Sequence, residues 1–350
     1  MTGMSERQGR RTARVAGAVV GAALLAGVVG GVALPRLLRD DGPPPRDTRA
    51  SVPPRIRVVR PAGNLGAVVR GFGDAWLDDR TDSRLLRVRS PDGRVLARVP
   101  VRGRLALAAG AGGVWALQSN SSARSFGSYL PGPLLHVDPR TNRVRARIRL
   151  RVDGDDLLGL GVYVHGGRVW VWGPRNVLRI DPRRDRVVQR ISVPDLHGDV
   201  AGLALRGRRL VAALADGTYM WLNARTGRPL WTVRTPFPDP VIRGEVGSRL
   251  IVSSNGVLAA LQPATGRVVW SRRLGFRAGA VARAFGLLWV HSAAFHEPGD
   301  RLSGLDPATG SVVTTSILPA FGMTGVVAIG RRLLAASAGG RLLVVTPLML

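Results

Sequence analysis

The residues best suited to acid-base or metal chemistry lie in one short stretch, between positions 291 and 300. His291, His296 and Glu297 could form part of such a site together with Asp300, because imidazole and carboxylate groups act both as metal ligands and as proton carriers. A His-x4-His spacing in a loop imposes no fixed geometry on the two rings. The stretch is therefore interpreted either as part of a metal or acid-base site or as a polar surface loop.

A second candidate stretch is acidic. Asp153, Asp155 and Asp156 offer the oxygen ligands that calcium favours, but they lack the ordered spacing and the terminal bidentate Glu of a helix-loop-helix calcium site. A solvated acidic turn explains them equally simply. The sequence therefore gives no metal assignment at these positions, and we predict no bound metal and no cofactor.

The third candidate is His197, which lies between Asp195 and Asp199. A nucleophilic triad needs a Ser or Cys on a sharp strand-to-helix turn, and no such turn accompanies these residues. A glycine-rich phosphate-binding loop between a strand and a helix is also missing from the sequence. The lack of these motifs argues against an enzyme, and we expect a non-catalytic protein.

Composition limits the functional classes further. All 51 basic residues are Arg and none is Lys, and the formal net charge is +28. An exclusive choice of Arg is typical of a GC-rich genome, so the charge is weak support for nucleic-acid binding. The chain contains no Cys, which excludes disulfides, thiolate metal sites and a lipid-modified N-terminal cysteine.

The elements that must position these residues follow from a repeat. A turn rich in Asp, Pro, Thr and Gly recurs along the chain, as in "DPRTN" (138 to 142) and "PATG" (263 to 266). Its copies begin at 90, 138, 181, 223, 262, 306 and 346, a spacing of 39 to 48 residues that matches a four-stranded propeller blade. The sequence therefore predicts an all-β, seven-bladed propeller.

Within a blade, four short β-branched runs alternate with turns, as in residues 162–193. The fourth run alternates apolar and basic residues, as in "VRARIRL" (144 to 150), which predicts an outer strand protected by Arg. Four tryptophans occupy one position of the second strand, which predicts packing between blades rather than ligand contact. They are Trp76, Trp115, Trp170 and Trp289. His136 and His165 lie in strands and are also interpreted as packing residues.

Closure of the ring depends on the two ends of the domain. The last repeat ends with three strands, whereas an extra strand with the alternating pattern, Arg55 to Arg60, precedes the first repeat. We predict that this strand pairs with Arg341 to Val345 and completes the seventh blade.

The N-terminal region has a different character. Val15 to Leu34 is a stretch of 20 residues without a charge, which is long enough to cross a membrane as a helix. Arginines precede it, so the positive-inside rule places the N-terminus in the cytoplasm; a cleaved secretory signal is the alternative. We expect a cytoplasmic tail (1–14), a transmembrane signal anchor (15–38), a Pro-rich linker (39–54) and an extracytoplasmic propeller (55–350).

The repeats resemble a known superfamily. "ATGRVVW" (264 to 270) and "ARTGRPLW" (224 to 231) resemble the repeats of quinoprotein-like (PQQ-like) propellers, and "VDPRTNRVRARIRL" (137 to 150) resembles YVTN-type repeats. The resemblance covers about residues 55–350 and implies the fold more than the function, since the superfamily includes enzymes and non-catalytic scaffolds. A closer analogy than the enzymes is a non-enzymatic propeller attached to a membrane, such as the outer-membrane assembly-factor lipoprotein.

The long connections follow the second and fourth strands, which places them on one face of the predicted ring. This face is the predicted binding surface. The candidate contacts are Arg124, Phe126, Tyr129, Asp155, His197, Phe237, His296 and Glu297.

These observations favour a membrane-anchored binding or scaffold module for a protein, peptide or cell-envelope partner. Two alternatives remain open, a metal-assisted lyase or hydrolase on the same face and electrostatic binding to anionic lipid. Binding to nucleic acid is disfavoured by the expected placement outside the cytoplasm. The sequence leaves the oligomeric state undetermined.

Overall fold

The computed structural model describes residues 54–121, 129–151, 161–193, 199–274, 277–293 and 299–346. The chain divides into two units, residues 1–48 and 49–350, and all the described residues belong to the second. The predicted tail, membrane helix and nearly all of the linker lie outside the described residues. Among those residues, no helix is long and apolar enough to cross a membrane.

The described residues form seven four-stranded sheets, each an antiparallel blade. Blade 1 contains β2 (Leu65–Gly71), β3 (Asp74–Asp79), β4 (Arg84–Val88) and β5 (Val95–Pro100). Blade 2 contains β6 (Arg104–Gly110), β7 (Gly113–Ser121), β8 (Tyr129–Asp138) and β9 (Arg143–Ile148). Blade 3 contains β10 (Gly161–His165), β11 (Arg168–Trp172), β12 (Asn176–Asp181) and β13 (Arg186–Ser192).

The second half of the ring follows the same plan. Blade 4 contains β14 (Val200–Arg206), β15 (Arg209–Leu214), β16 (Thr218–Asn223) and β17 (Pro229–Arg234). Blade 5 contains β18 (Val241–Val246), β19 (Arg249–Ser254), β20 (Val257–Leu261) and β21 (Val268–Arg273). Blade 6 contains β22 (Arg277–Ala284), β23 (Leu287–Ala293), β24 (Arg301–Leu305) and β25 (Val312–Ile317). Blade 7 contains β26 (Met323–Ile329), β27 (Arg332–Ser337), β28 (Leu342–Thr346) and β1 (Arg55–Val59).

The seven blades form a closed ring, as the repeat predicted. The first strands of successive blades contact one another, and β26 of blade 7 contacts β2 of blade 1. Because the strands of each blade alternate in direction, the connections after second and fourth strands open on one face. We call this the loop face, and the face that carries the other connections is the turn face.

Blade 7 confirms the predicted clasp. β1 pairs antiparallel with β28, with Arg55 opposite Thr346 and Val59 opposite Leu342. Ile56 of β1 packs against the buried cluster shared by blades 6 and 7, which includes Val345. The ends of the domain therefore form one sheet, although they are separated by almost the whole sequence.

The four position-equivalent tryptophans fill the space between blades, as predicted. All four are buried, and three of them donate the indole N–H to a backbone carbonyl five residues earlier in the same blade. Trp170 is equally buried, although its Nε1 has no hydrogen-bond partner among the described residues. All four belong to apolar clusters and therefore serve packing.

The repeated turn on the turn face has a common geometry. In four blades the first residue, an Asp or Asn, accepts hydrogen bonds from backbone N–H groups two or three residues later. The last residue adopts a positive φ, as at Gly310 (φ 71), where a Cβ would lie 2.5 Å from Trp270 of the preceding blade. Blades 2 and 3 instead use Asn142 and Asp185, whose side chains bind Arg87 and His136 of the preceding blade.

The clasp yields a stability prediction. We expect Ile56→Asp to destabilise the protein by about 2 to 4 kcal/mol, because a carboxylate would enter the apolar seam between blades 6 and 7. Val58 lies on the same side of the strand but is 44% exposed, so Val58→Asp should change stability by less than about 0.5 kcal/mol. Guanidinium unfolding of the two variants measures the difference, and equal effects would show that β1 does not contribute to the core.

Candidate functional site

The loop face is where the predicted contacts were expected. Seven of the eight lie wholly or partly outside the described residues: Arg124, Phe126, Asp155, His197, His296 and Glu297 entirely, and Tyr129 with its side chain. The backbone of Tyr129 begins β8. The strand ends on either side of these residues are described, and they open on the loop face.

Phe237 was expected to contact a partner, and the structure corrects this expectation. Only 8% of the residue is exposed, and it belongs to the buried cluster between blades 4 and 5 with Tyr219, Trp221 and Leu250. Its segment, residues 235–242, was expected to project from the loop face, but the phenyl ring packs inward between the two blades. Phe237 therefore stabilises the blade interface.

His291 and Asp300 form a buried pair at the loop face of blade 6. His291 Nε2 lies 3.1 Å from Asp300 Oδ2, and the two residues are 4% and 3% exposed. The same Oδ2 accepts a hydrogen bond from the backbone N–H of Met323 at 2.6 Å. The pair thus links the second strand of blade 6 to the first strand of blade 7.

The other imidazole nitrogen is enclosed. Among the described residues, His291 Nδ1 has no hydrogen-bond partner, and a Cβ on Gly279 would lie 2.6 Å from it. Glycine at position 279 therefore makes room for the ring beside the first strand of its own blade. This enclosure prevents His291 from reaching a substrate on the loop face in the observed arrangement.

The surroundings of His291 favour its neutral form, mainly because the ring is buried. Burial lowers the pKa of His291, Asp300 opposes this effect, and the charge of Arg243 lowers the pKa further. Arg243 donates from Nε to Ser253 Oγ at 2.7 Å, and its own burial lowers its pKa to about 10. With Nε2 bound to Asp300 and Nδ1 packed against Gly279, the imidazole is suited to a fixed hydrogen bond within the blade.

Asp78 in blade 1 plays a comparable part, and sequence reasoning missed it. It is fully buried, binds Arg80 Nε at 3.2 Å and accepts the backbone N–H of Leu105 at 3.3 Å. Burial raises the pKa of Asp78. Asp78 lies two residues after Trp76, as His291 lies two residues after Trp289, so aligning the repeats at tryptophan would have singled out both residues.

The two buried sites satisfy equivalent backbone groups. Leu105 lies opposite Gln118, three residues after Trp115. Met323 lies opposite Ser337, three residues after Leu334, which takes the place of the tryptophan in blade 7. The two residues therefore occupy equivalent positions in their blades. Each N–H is bound by a carboxylate of the preceding blade. These polar groups therefore hold neighbouring blades together.

A cleft opens on the turn face between blades 4 and 5. It has a volume of about 390 Å³ and is lined by Arg206, Arg208, Arg209, Trp221, Ser248, Gln262, Pro263 and Ala264. Arg209 lies over the ring of Trp231 at 5.0 Å, and Trp231 stacks on Trp221. Its lining combines cationic and aromatic groups, which suit an anionic ligand.

The strand histidines differ from each other. His136 is buried, stacks on Trp115 and binds Asp185 of the next blade at 2.6 Å through Nδ1, which confirms its packing role. His165 is exposed and stacks on Tyr163 at 6.0 Å between ring centroids. The prediction of a packing role for His165 was wrong, because the residue ends its strand at the turn face.

The described residues contain no group of three or more His, Cys, Asp or Glu side chains placed to hold a metal ion. The acidic candidates at 153, 155 and 156 lie outside that part of the chain, as do His296 and Glu297.

Comparison with known proteins identifies the type of propeller. A family model described as outer membrane protein assembly factor BamB matches residues 77–284 and, in a second alignment, residues 173–346. The search of curated proteins found no match.

Three solved structures share the fold. BamB from Moraxella catarrhalis is 20% identical, with a TM-score of 0.53, over 81% of this chain and 83% of that chain. U3-55K is 15% identical, with a TM-score of 0.64, over 84% and 98%. The computationally designed Ika8 protein is 12% identical, with a TM-score of 0.57, over 82% and 96%. At these identities the likeness concerns the fold.

The buried histidine yields a prediction on pH. The pKa of His291 is lowered in the folded protein, so below its ordinary value near 6.5 the unfolded chain binds more protons. We expect this residue's contribution to stability to be present above that value and lost as the pH falls towards the folded pKa. His291→Gln should therefore lose less stability than wild type between pH 7.5 and pH 5.

Chemical unfolding at several pH values measures this difference. All other titrating groups are shared by wild type and variant, so their effects cancel to first order. Parallel pH profiles for the two proteins would contradict the burial of a neutral imidazole.

Proposed function

This chain belongs to the family described as outer membrane protein assembly factor BamB, and on that premise we propose that it is a non-catalytic binding or scaffold module for a protein or cell-envelope partner. The family match spans most of the propeller. The partner contacts the loop face, and the ring acts as the rigid support that holds the connections in place.

The arrangement of the connections is the observation that carries the proposal. Five connections join strands across undescribed residues, and all five open on the loop face: β7 to β8, β9 to β10, β13 to β14, β21 to β22 and β23 to β24. The turns of the opposite face are short and bind the preceding blade through their own backbone carbonyls, as Pro263 and Pro307 do. The loop face therefore carries the longer connections, whose residues are available to contact a partner.

A binding role fits the chemistry better than turnover does. The best acid-base pair among the described residues, His291 and Asp300, is almost completely buried, and both members already bind structural partners. Catalysis needs a reacting group within hydrogen-bond reach of substrate. We therefore propose that the propeller binds its partner without changing the partner chemically.

The N-terminal stretch supports a location at the membrane. Val15 to Leu34 carries no charge and follows several arginines, which is the pattern of a single-pass anchor with a cytoplasmic N-terminus. We propose that the propeller lies on the extracytoplasmic side, joined to this anchor by the Pro-rich residues 39–54.

Topology can be tested because the chain has no native cysteine. We expect Thr232→Cys, on the exposed outer strand of blade 4, to react with a membrane-impermeant maleimide in intact cells. Ser5→Cys should react only after the cells are permeabilised. Labelling of both positions only after permeabilisation would place the propeller in the cytoplasm and overturn this part of the proposal.

Partner binding is tested with the full-length chain, cross-linked in its native membranes and then affinity-purified. We expect a defined protein to co-purify, and replacement of residues 122–128 by a Gly-Ser segment of equal length to reduce its yield by about tenfold or more, as loss of hot-spot contacts does. The matched control replaces Arg140 and Arg183 on the turn face with Ser. If both variants retain the partner equally, the loop face is not its binding surface.

A further inference from the structure

Blade 6 has an unusual outer edge. Each blade ends in a strand with one unpaired side, and proteins protect such edges against pairing, most often with charged side chains. Six of the seven blades follow this rule with Arg. β25, the outer strand of blade 6, reads VVTTSI and has no charge.

The comparison can be made position by position. In each fourth strand, three residues direct their backbone N–H and C=O groups away from the third strand, and we call these the outward positions. They follow from the strand register and from the next backbone hydrogen bond into the blade, such as that from Leu318 N–H to Asp300 O. In blade 6 these positions carry Val313, Thr315 and Ile317. In blade 4 they carry Leu230, Thr232 and Arg234, and the remaining five blades also have at least one Arg there.

Apolar exposure accompanies the missing charge. Val313 is 42% exposed and Ile317 is 58% exposed, and Phe321, four residues further on in the connection to blade 7, is 60% exposed. These residues lead from the strand edge to the loop face, where the connection opens. An uncharged strand edge continuous with an exposed aromatic residue is a surface suited to another β-strand.

The backbone of β25 is available for pairing. Leu318 directs its N–H inward to blade 6, so by strand alternation the N–H and C=O groups of Ile317 and Thr315 point outward. β25 pairs on its other side with β24 alone. An incoming strand would therefore find free backbone donors and acceptors.

Positive charge at the two ends of β25 indicates which kind of strand could pair with it. Arg272 and Arg249 bind carbonyls of Gly310 and Ala308 before the strand begins, and Arg341 binds the carbonyl of Pro319 after it ends. None of the three has a carboxylate partner among the described residues. An extended segment with acidic residues at both ends would complement them.

The same charges disfavour a second copy of this chain. Two β25 strands paired antiparallel would bring the arginines at the start of one strand towards Arg341 at the end of the other. The net charge of +28 adds long-range repulsion.

We propose that the edge of blade 6 is a strand-addition site, where an extended, acid-flanked and uncharged-centred segment of the partner protein adds a fifth strand beside β25. This inference rests on the proposed function as a partner-binding module and names the kind of segment that is bound. Backbone hydrogen bonds provide the affinity, and Val313 and Ile317 contact alternate side chains of the segment.

The test uses a fluorescent probe peptide, Glu-Asp-Val-Thr-Val-Thr-Val-Asp-Glu, and the full-length chain in detergent micelles. We expect saturable binding, measured by fluorescence anisotropy, that weakens as salt is raised. The same peptide with N-methyl groups on alternate residues, or with Arg in place of its acidic ends, should bind at least about tenfold more weakly.

Protein variants locate the site. Thr315→Pro removes one outward N–H, and Ile317→Arg restores the charge found at the equivalent position of blade 4; each should weaken peptide binding about tenfold or more. Thr232→Pro makes the matched change in blade 4 and should leave binding unchanged. Thr315→Val keeps the backbone N–H and controls for loss of the hydroxyl, which lies 3.1 Å from Ser303 Oγ.

Three results would overturn the proposal. The peptide could fail to bind wild type, it could bind Thr315→Pro and Ile317→Arg as well as wild type, or sedimentation could show a wild-type dimer that Thr315→Pro dissociates. Failure here leaves the proposed function standing if a partner still co-purifies through the loop face. Conversely, peptide binding without any co-purified partner would support the edge and count against the loop-face assignment.

Discussion

Five paired positions between β1 and β28 turn a row of blades into a closed ring. Without this pairing, blade 7 would have three strands, and the seam that blade 6 shares with it would lose Ile56. Each blade is an antiparallel sheet with apolar faces that only its neighbours can cover. Closure therefore gives every blade two neighbours. It also places the connections after second and fourth strands together on the loop face of the ring.

Polar groups between blades act together with this apolar packing. Asp78 and Asp300 bind equivalent backbone N–H groups in the following blade. On the opposite face, His136 reaches Asp185, and Trp221 and Trp270 reach carbonyls of the next turn. A buried polar group that has found its partner specifies one arrangement, because any shift would leave it unsatisfied. The same hydrogen bonds engage His291 and Asp300, the pair that otherwise resembles an acid-base site.

Much of the fold could be predicted from the sequence, because the turn residues and the two-residue alternation are local signals that recur with the blade. In blade 3 the four runs predicted within residues 162–193 are observed as the strands β10 to β13. The candidate site was less predictable. Phe237 and His165 were misjudged, since burial of Phe237 depends on blade 5 and exposure of His165 depends on where its strand meets the turn face.

The sequence by itself determined the number of blades, the closing strand and the Arg-protected outer strands, because periodicity and side-chain alternation follow directly from the order of residues. Only the tertiary structure decided the partners of His291. Pairing of β22 with β23 brings Gly279 to the ring, and Asp300 reaches it from the connection before β24. Met323, which binds Asp300, is brought there by the packing of blades 6 and 7. It also decided that the uncharged strand β25 faces outward between arginines contributed by blades 5 and 7, because those arginines are neighbours only once the ring is formed.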